Sequence, residues 1–425
     1  MIRKMELANK LFKGDRVIWI IFRFLCLVSV IEVFSATSTL TYKNSNYWAP
    51  VARHASFLLA GFILILILHN VPSRFFSALI LLLPVSALLL IVTPLFGEKT
   101  NDAHRFLNLF GISFQPSEIA KLASVAFVAF LLSKKGKLGI DKVFNYILIG
   151  VGVICLLIFL DNISTGAMLF VICYLMMFIG QIPFKKMAFL TFALLLFALF
   201  FVAILFALPD NVLEKTGRRL PTAKGRITDF FIEKPALDAN TYKITDDNYQ
   251  VSHAQIAIAN GGLFGKMPGH GQQRDFLPQA YSDFIYAIII EELGVIGGLL
   301  VLFFYIMLMI RVGLIARKCD RLFQKYLVVG CGLVIIVQAF ANMAVAVGFF
   351  PVTGQPLPLI SRGGTSTVIT CVYIGIILSI SRFGAGMGNE EEEDTSDLHP
   401  EFMEIETDIA DDFSLIATET IIEKK

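Results

Sequence analysis

Phe75-Phe-Ser-Ala-Leu-Ile-Leu-Leu-Leu-Pro-Val-Ser-Ala-Leu-Leu-Leu-Ile-Val-Thr-Pro-Leu-Phe96 runs for 22 residues without one charged side chain. A hydrocarbon core about 30 Å thick takes about 20 apolar residues of helix, at about 1.5 Å each, so this stretch reads as a membrane-spanning helix. Comparable runs lie on both sides of it: Val17 to Thr37, Ser56 to Asn70, Pro116 to Ser133, Val143 to Leu160, Thr165 to Gly180, Lys186 to Leu208, Asp283 to Val312, Tyr326 to Phe350 and Ser366 to Phe383. They predict an all-α polytopic membrane protein of about ten transmembrane helices. Composition agrees, since 56% of the 425 residues are hydrophobic and 16% charged, against about 25% charged in soluble domains, with mean hydropathy +0.72. Nucleic-acid-binding, collagenous, coiled-coil and disulfide-stapled classes are excluded. The first run is too long for a cleaved signal and lacks a small-residue cleavage site.

The net charge of +2 hides a division. Met387 to Lys425 holds 14 acidic and 2 basic residues, whereas the remainder holds 34 basic and 20 acidic ones. Lysines and arginines concentrate at the N-terminus and in alternate connections (Arg74; Lys134, Lys135, Lys137 and Lys142; Lys185 and Lys186; Arg311 to Lys325). By the positive-inside rule these connections and both termini are cytoplasmic. Residues 1–16 are then a cytoplasmic N-terminus, 17–383 the transmembrane domain, and 384–425 an acidic cytoplasmic tail of disordered composition. One outer loop, 209–282, is far longer than the rest, and a loop of that length is usually functional. Its charged first part reads as flexible, while Tyr249 to Ala259 is amphipathic and leads into Gly261, Gly262, Gly265, Gly269 and Gly271.

Six cysteines show no C-x-x-C spacing and six histidines no ligand spacing, so neither a disulfide framework nor a dedicated metal site is expected. Three polar constellations fall at outer boundaries. In Leu277-Pro-Gln-Ala-Tyr-Ser-Asp283, the aspartate opens a long apolar helix, either as an N-cap or as a general base beside a hydroxyl. Glu291 and Glu292 stand about two turns deeper and need partners, as structural or gating groups. In Phe114-Gln-Pro-Ser-Glu-Ile-Ala-Lys121, Glu118 and Lys121 share a helix face, either as a self-neutralising pair or as part of a cationic site with Arg53 and Arg105. In Pro351-Val-Thr-Gly-Gln-Pro-Leu-Pro-Leu-Ile-Ser-Arg362-Gly-Gly, the density of proline and glycine means a rigid loop or an anion site beside Arg362. Within the first run, Arg23 and Glu32 are expected to pair, and Asp161 joins the outer set. ATP is available only inside, so an enzyme using the outer face needs a pre-activated substrate. A lipid-linked pyrophosphate sugar is one, with phosphates for Arg53, Arg105 and Lys121. The competing class is a lipid transporter using the intramembrane charges as a polar track.

Over roughly Asp15 to Phe383 the chain resembles the shape, elongation, division and sporulation (SEDS) family of bacterial peptidoglycan glycosyltransferases. The motifs that carry the resemblance are Phe114-Gln-Pro-Ser-Glu-Ile-Ala-Lys121, Gln255-Ile-Ala-Ile-Ala-Asn-Gly-Gly262 through Asp283-Phe-Ile-Tyr-Ala, and Pro356-Leu-Pro-Leu-Ile-Ser with Gly363-Gly364. The resemblance implies that Asp283 is catalytic, that Arg53, Arg105, Glu118, Lys121 and the acidic Asp275 serve the substrate, and that the substrate is lipid II. It implies a class B penicillin-binding protein as transpeptidase partner, whose docking is expected to order the outer loop and bring Arg274, Asp275 and Asp283 into register. A loosely bound Mg²⁺ or Mn²⁺ is a further expectation from acidic group and pyrophosphate together. Arg362 before the glycine pair and Leu160-Asp-Asn-Ile-Ser-Thr165-Gly depart from the family pattern. Gly14-Asp-Arg-Val-Ile-Trp, Val33-Phe-Ser-Ala-Thr-Ser and the acidic tail look more like the division branch, of the type in Bacteroidetes, which adds other divisome proteins as partners.

Overall fold

The computed structural model describes residues 12–36, 48–100, 103–109, 112–208, 248–277 and 280–384, with isolated positions between 209 and 247. Most of the long loop's charged part and the acidic tail therefore lie outside the described residues. The helices are α1 (Arg16–Ala36), α2 (Ala49–Leu68), α3 (Ser73–Phe96), α4 (Pro116–Ser133), α5 (Ile140–Asp161), α6 (Ile163–Ile179), α7 (Phe184–Ala207), α8 (Tyr249–Gly261), α9 (Ile285–Lys318), α10 (Leu322–Ala346) and α11 (Thr365–Phe383). Nine of them are long and apolar enough to cross a membrane, and α6 is apolar but shorter, at 17 residues. The molecule is a multi-pass membrane protein.

Burial separates helices that the hydropathy pattern treats alike. Beyond Lys185 and Lys186 the whole of α7 is apolar, yet only 11% of its hydrophobic window is buried, so its face is turned to lipid. In α4 the figure is 89%, because Ala120, Ala123, Ala126 and Ala129 let neighbouring helices approach closely, leaving dispersion as the main attraction. This places α4 at the centre, against α10, α3 and α5.

Hydrogen bonds gather the connections at two opposite ends. At the basic end, Asp15 pairs with Arg311 while its amide donates to Ser381 Oγ at 2.9 Å, Gln324 donates to Ser73 Oγ at 2.6 Å, and Arg382 donates to Asn70 at 2.9 Å. Lys186 pairs with Asp141 at the same end. The other end holds the three polar constellations.

Three features depart from the sequence expectation. Helix α2 begins at Ala49, seven residues before the apolar run, so Arg53 and His54 stand on its first turns. Between α3 and α4 the chain forms a small antiparallel sheet, β1 (Glu98–Thr100), β2 (Ala103–Leu109) and β3 (Ile112–Phe114), with Glu98 opposite Phe106 and Leu107 opposite Phe114. Arg23 and Glu32 do not pair. They are nine residues apart on one helix, about 13 Å along its axis; Arg23 lies over the Phe12 ring at 4.4 Å, and neither Glu32 oxygen has a hydrogen-bond partner among the described residues.

Candidate functional site

Helix α9 is broken near its start. Gly294 has φ 73° and ψ 179°, a backbone open only to glycine, and the ladder is interrupted there. The segment after α8 fills the gap in the manner of a strand. Lys266 N donates to the Glu291 carbonyl at 3.0 Å and Met267 N to that of Glu292 at 2.8 Å, while Val295 N and Ile296 N donate to the carbonyls of Gly262 and Leu263 at 2.9 and 3.3 Å. Irregular backbone survives at membrane depth only when its polar groups are satisfied in this way.

The side chains of Glu291 and Glu292, both fully buried, hold the rest of the loop. Glu291 accepts the amides of Gln272 and Gln273, each at 3.0 Å, and faces Lys266 Nζ at 3.4 Å. Glu292 accepts the amides of Gly269 and Gly271 at 3.0 and 3.3 Å and the Ser35 hydroxyl. Arg274 adds charge to this clasp: Nη1 donates to Ser35 Oγ at 2.6 Å and lies 3.6 Å from Glu292, and Nη2 donates to the Gly269 carbonyl at 2.7 Å. Asp275 is half-exposed beside it, at 3.8 Å. Segment 261–277 is thus clamped through α1 and α9. The sequence of the outer loop 209–282 leads one to expect that docking of a partner orders it; within the described segment 261–277 the buried carboxylates already hold the backbone.

A lattice of uncharged polar side chains surrounds Asp283. Asn342 Nδ2 donates to the backbone carbonyls of both Asp283 and Gln355, each at 2.8 Å. Ser361 Oγ donates to the Ser282 carbonyl at 2.5 Å and accepts from Leu357 N, and Arg362 N donates to the Tyr281 carbonyl at 3.0 Å. Gln355 reaches Thr165 on α6 at 2.8 Å. Asp283 is half-buried, and the residue that caps α9 is Phe284, so the aspartate sits one position outside the N-cap.

Lys121 lies beneath this lattice. Fully buried, its ammonium is 2.8 Å from Glu118 and donates to Gln338 Oε1 at 3.1 Å, and Gln338 Nε2 donates to the Pro356 carbonyl at 3.0 Å. The pair therefore supports the 351–362 loop from below. Asp161 is buried at the end of α5, lining a small cleft with Gln115, Ser117 and Thr93.

Arg53 and Arg362 meet in a cavity of about 130 Å³ walled also by His54, Phe57, Phe106, Ser113 and the glycine pair 363–364. Burial holds the Arg362 guanidinium below its ordinary basicity, opposed by Tyr281 and reinforced by the like charge of Arg53. Its face lies over the Tyr281 ring at 5.4 Å, which links the cavity to the segment carrying Asp283. Two guanidinium groups facing one space form a fork for phosphate oxygens. The backbone of Arg105 lies in β2, while its side chain is outside the described residues.

A family model for the FtsW, RodA and SpoVE proteins, described as cell cycle proteins, matches residues 15–385. The chain belongs to the FtsW/RodA/SpoVE family. It is 30% identical over 387 residues to a protein named as a probable peptidoglycan glycosyltransferase FtsW from Geobacter sulfurreducens, covering 88% of this chain and 96% of that one. The stage V sporulation protein E of Bacillus subtilis is 28% identical, covering 89% and 99%. Among solved structures, a chain from a peptidoglycan synthase complex that coordinates polymerization and crosslinking superposes with TM-score 0.67 at 21% identity, over 87% of this chain and 98% of that one. Thermus thermophilus RodA superposes with TM-score 0.61 at 22% identity, over 87% and 97%. These likenesses show the SEDS fold.

The structure brings Arg53 together with Arg362, and Asp283 with the 355–362 loop; it ties Arg274 to Glu292 and Lys121 to Glu118. The sequence reading passed over Gln338, Asn342, Gln355 and Ser35. Gln338 and Asn342 stand one turn apart in an otherwise apolar span, which is the signal that could have found them. Among the described residues, no three histidine, cysteine, aspartate or glutamate side chains come together to hold a metal ion.

Proposed function

We propose that this chain is a peptidoglycan glycosyltransferase that polymerises lipid II on the outer face of the bacterial cytoplasmic membrane. Family membership supports the reading. The observation that carries it is the two-arginine cavity, joined through Arg362 and Tyr281 to the segment holding Asp283. The basic end of the bundle is read as cytoplasmic, which makes about ten crossings with both termini inside and puts the cavity outside.

In the proposed reaction Asp283 takes the proton of an acceptor sugar 4-hydroxyl. The freed oxygen attacks the anomeric carbon of the donor, and the bond to undecaprenyl pyrophosphate breaks. Arg53 and Arg362, with Arg105 by family resemblance, hold the negative charge that grows on the leaving group, a case of fixed charges aimed at the transition state. Glu118 and Lys121 act through Gln338 on the 351–362 loop, and Arg274 with Glu291 and Glu292 fixes the approach to Asp283. A divalent cation would enter with the pyrophosphate. The partner is a class B penicillin-binding protein, and the division role with other divisome proteins is favoured over elongation by the N-terminal motifs and the acidic tail.

A liposome assay that scores lipid translocation and glycan formation separately tests this. The purified protein with its transpeptidase partner is expected to form glycan; translocation without polymer would establish a transporter instead.

A further inference from the structure

Phe284 supplies the first carbonyl that serves α9, accepting from Ala287 N at 3.0 Å and from Ile288 N at 3.3 Å. The three carbonyls before it take donors from a distant part of the chain. Tyr281 accepts from Arg362 N at 3.0 Å, Ser282 from Ser361 Oγ at 2.5 Å, and Asp283 from Asn342 Nδ2 at 2.8 Å. Residues 281–283 lie in a turn, where each residue keeps two soft dihedrals and no helical ladder restrains them. Three consecutive anchors from α10 and the 351–362 loop remove that freedom.

The anchors are themselves fixed. Ser361 gives its one hydroxyl hydrogen to Ser282 and accepts Leu357 N at 2.8 Å, which closes a turn within its own loop. Asn342 divides the two hydrogens of Nδ2 between Asp283 and Gln355, each at 2.8 Å, and so ties the same loop to the same turn. Both side chains are 1% exposed, so bulk water does not stand in for a lost donor. The Asp283 carboxylate also lies against this loop: a Cβ built at Gly354 would stand 3.6 Å from its Oδ2. Arg362, the neighbour of Ser361, lines the two-arginine cavity. Carboxylate and anion-binding arginine therefore belong to one clamped unit.

We propose that Ser361 and Asn342 are positioning residues for Asp283, fixing the backbone of 281–283 against the loop that carries Arg362 and so setting where the base stands relative to the arginine pair. This rests on the reading of Asp283 as the base. Neither side chain is charged and neither meets the reacting atoms; their effect passes through Asp283. A displacement of about 1 Å in such a group costs about 10²-fold in rate.

The test measures kcat and KM for glycan synthesis from lipid II, and melting temperature, on the full chain with its transpeptidase partner. Ser361→Ala should lower kcat at least about tenfold with KM within about twofold, because placement and not binding is lost. Ser361→Thr keeps the hydroxyl and should recover most of the rate. Should Ser361→Ala not fold, Asn342→Leu, similar in size but without a donor, carries the same expectation. The sharpest arm is the double variant: on an Asp283→Asn background Ser361→Ala should cost less than about twofold, since a residue that acts through the base then has nothing left to place. The same tenfold loss on both backgrounds, an unchanged kcat in Ser361→Ala and Asn342→Leu, or a threonine variant as slow as the alanine one at an unchanged melting temperature would overturn the positioning role while leaving Asp283 as the base. A wild-type rate in Asp283→Asn would overturn the reading beneath it as well.

Discussion

Gly294→Ala attacks the joint that sets the approach to Asp283. A Cβ built at Gly294 would stand 2.2 Å from the Leu263 carbonyl oxygen and 2.6 Å from Gly265 N, both backbone atoms that cannot swing aside. The backbone region itself costs a non-glycine residue about 1–3 kcal/mol. Pushing the loop away also breaks the four amide-to-carbonyl bonds between 262–267 and 291–296, each with a net value of about 0.5–1.5 kcal/mol. The combined loss is about 3–9 kcal/mol, a large share of the stability of a typical protein. Gly269→Ala is the matched control: its φ is also positive, at 86°, but no atom lies within 4 Å of the added carbon, so only about 1–2 kcal/mol is at stake. Thermal unfolding in detergent and limited proteolysis between 262 and 277 measure both variants. Gly294→Ala should open the loop to protease and lower the melting temperature well below that of Gly269→Ala. Equal melting temperatures with equal protection would refute the claim that this segment completes the broken helix.

Glu118→Gln leaves the Lys121 ammonium buried with only Gln338, and should destabilise by about 3–5 kcal/mol; Glu118→Gln with Lys121→Met should recover part of it, and thermal unfolding of the single and double variants checks the order. At the basic end, burial first and the Asp320 charge second, against Lys325, push the Cys319 thiol up from 9.0 to about 11. Maleimide labelling of Cys319 at pH 8, followed by mass spectrometry, should then run about 100-fold slower than for an ordinary thiol and rise about tenfold per pH unit up to that value.

Hydropathy alone reveals most of the fold, because each span must satisfy its own backbone and so declares itself over a single window. It misplaces the start of α2, since Arg53 and His54 are polar residues on a helix that projects past the apolar run. It overlooks the β1–β3 sheet, whose short strands carry too few residues for a period-2 pattern. The site is legible in part. Asp283, Arg53 and Arg362 announce themselves as charges at boundaries, whereas Lys121 and Arg274 carry the same signal and are neutralised by Glu118 and Glu292. Sequence spacing shows the first of these partnerships, three residues apart on one helix. The second joins residues on different elements and requires the fold. Glu291 and Glu292 read as structural or gating groups in an apolar span; their partners are backbone amides of the 269–273 segment together with Lys266, Ser35 and Arg274, which no sequence pattern displays. His54 is a further case, a residue whose neighbour Ser29 is brought to it only by packing.

The central claim is that Asp283 is the base of a polymerisation reaction. It is tested most directly by comparing wild type and Asp283→Asn, each purified with its transpeptidase partner, in glycan synthesis from lipid II. Melting temperature and partner binding are measured on the same samples. The amide cannot accept the hydroxyl proton, so turnover should fall by about 10²-fold or more with fold and complex unchanged. Glycan strands made by Asp283→Asn at the wild-type rate, in an intact complex, would contradict the assignment.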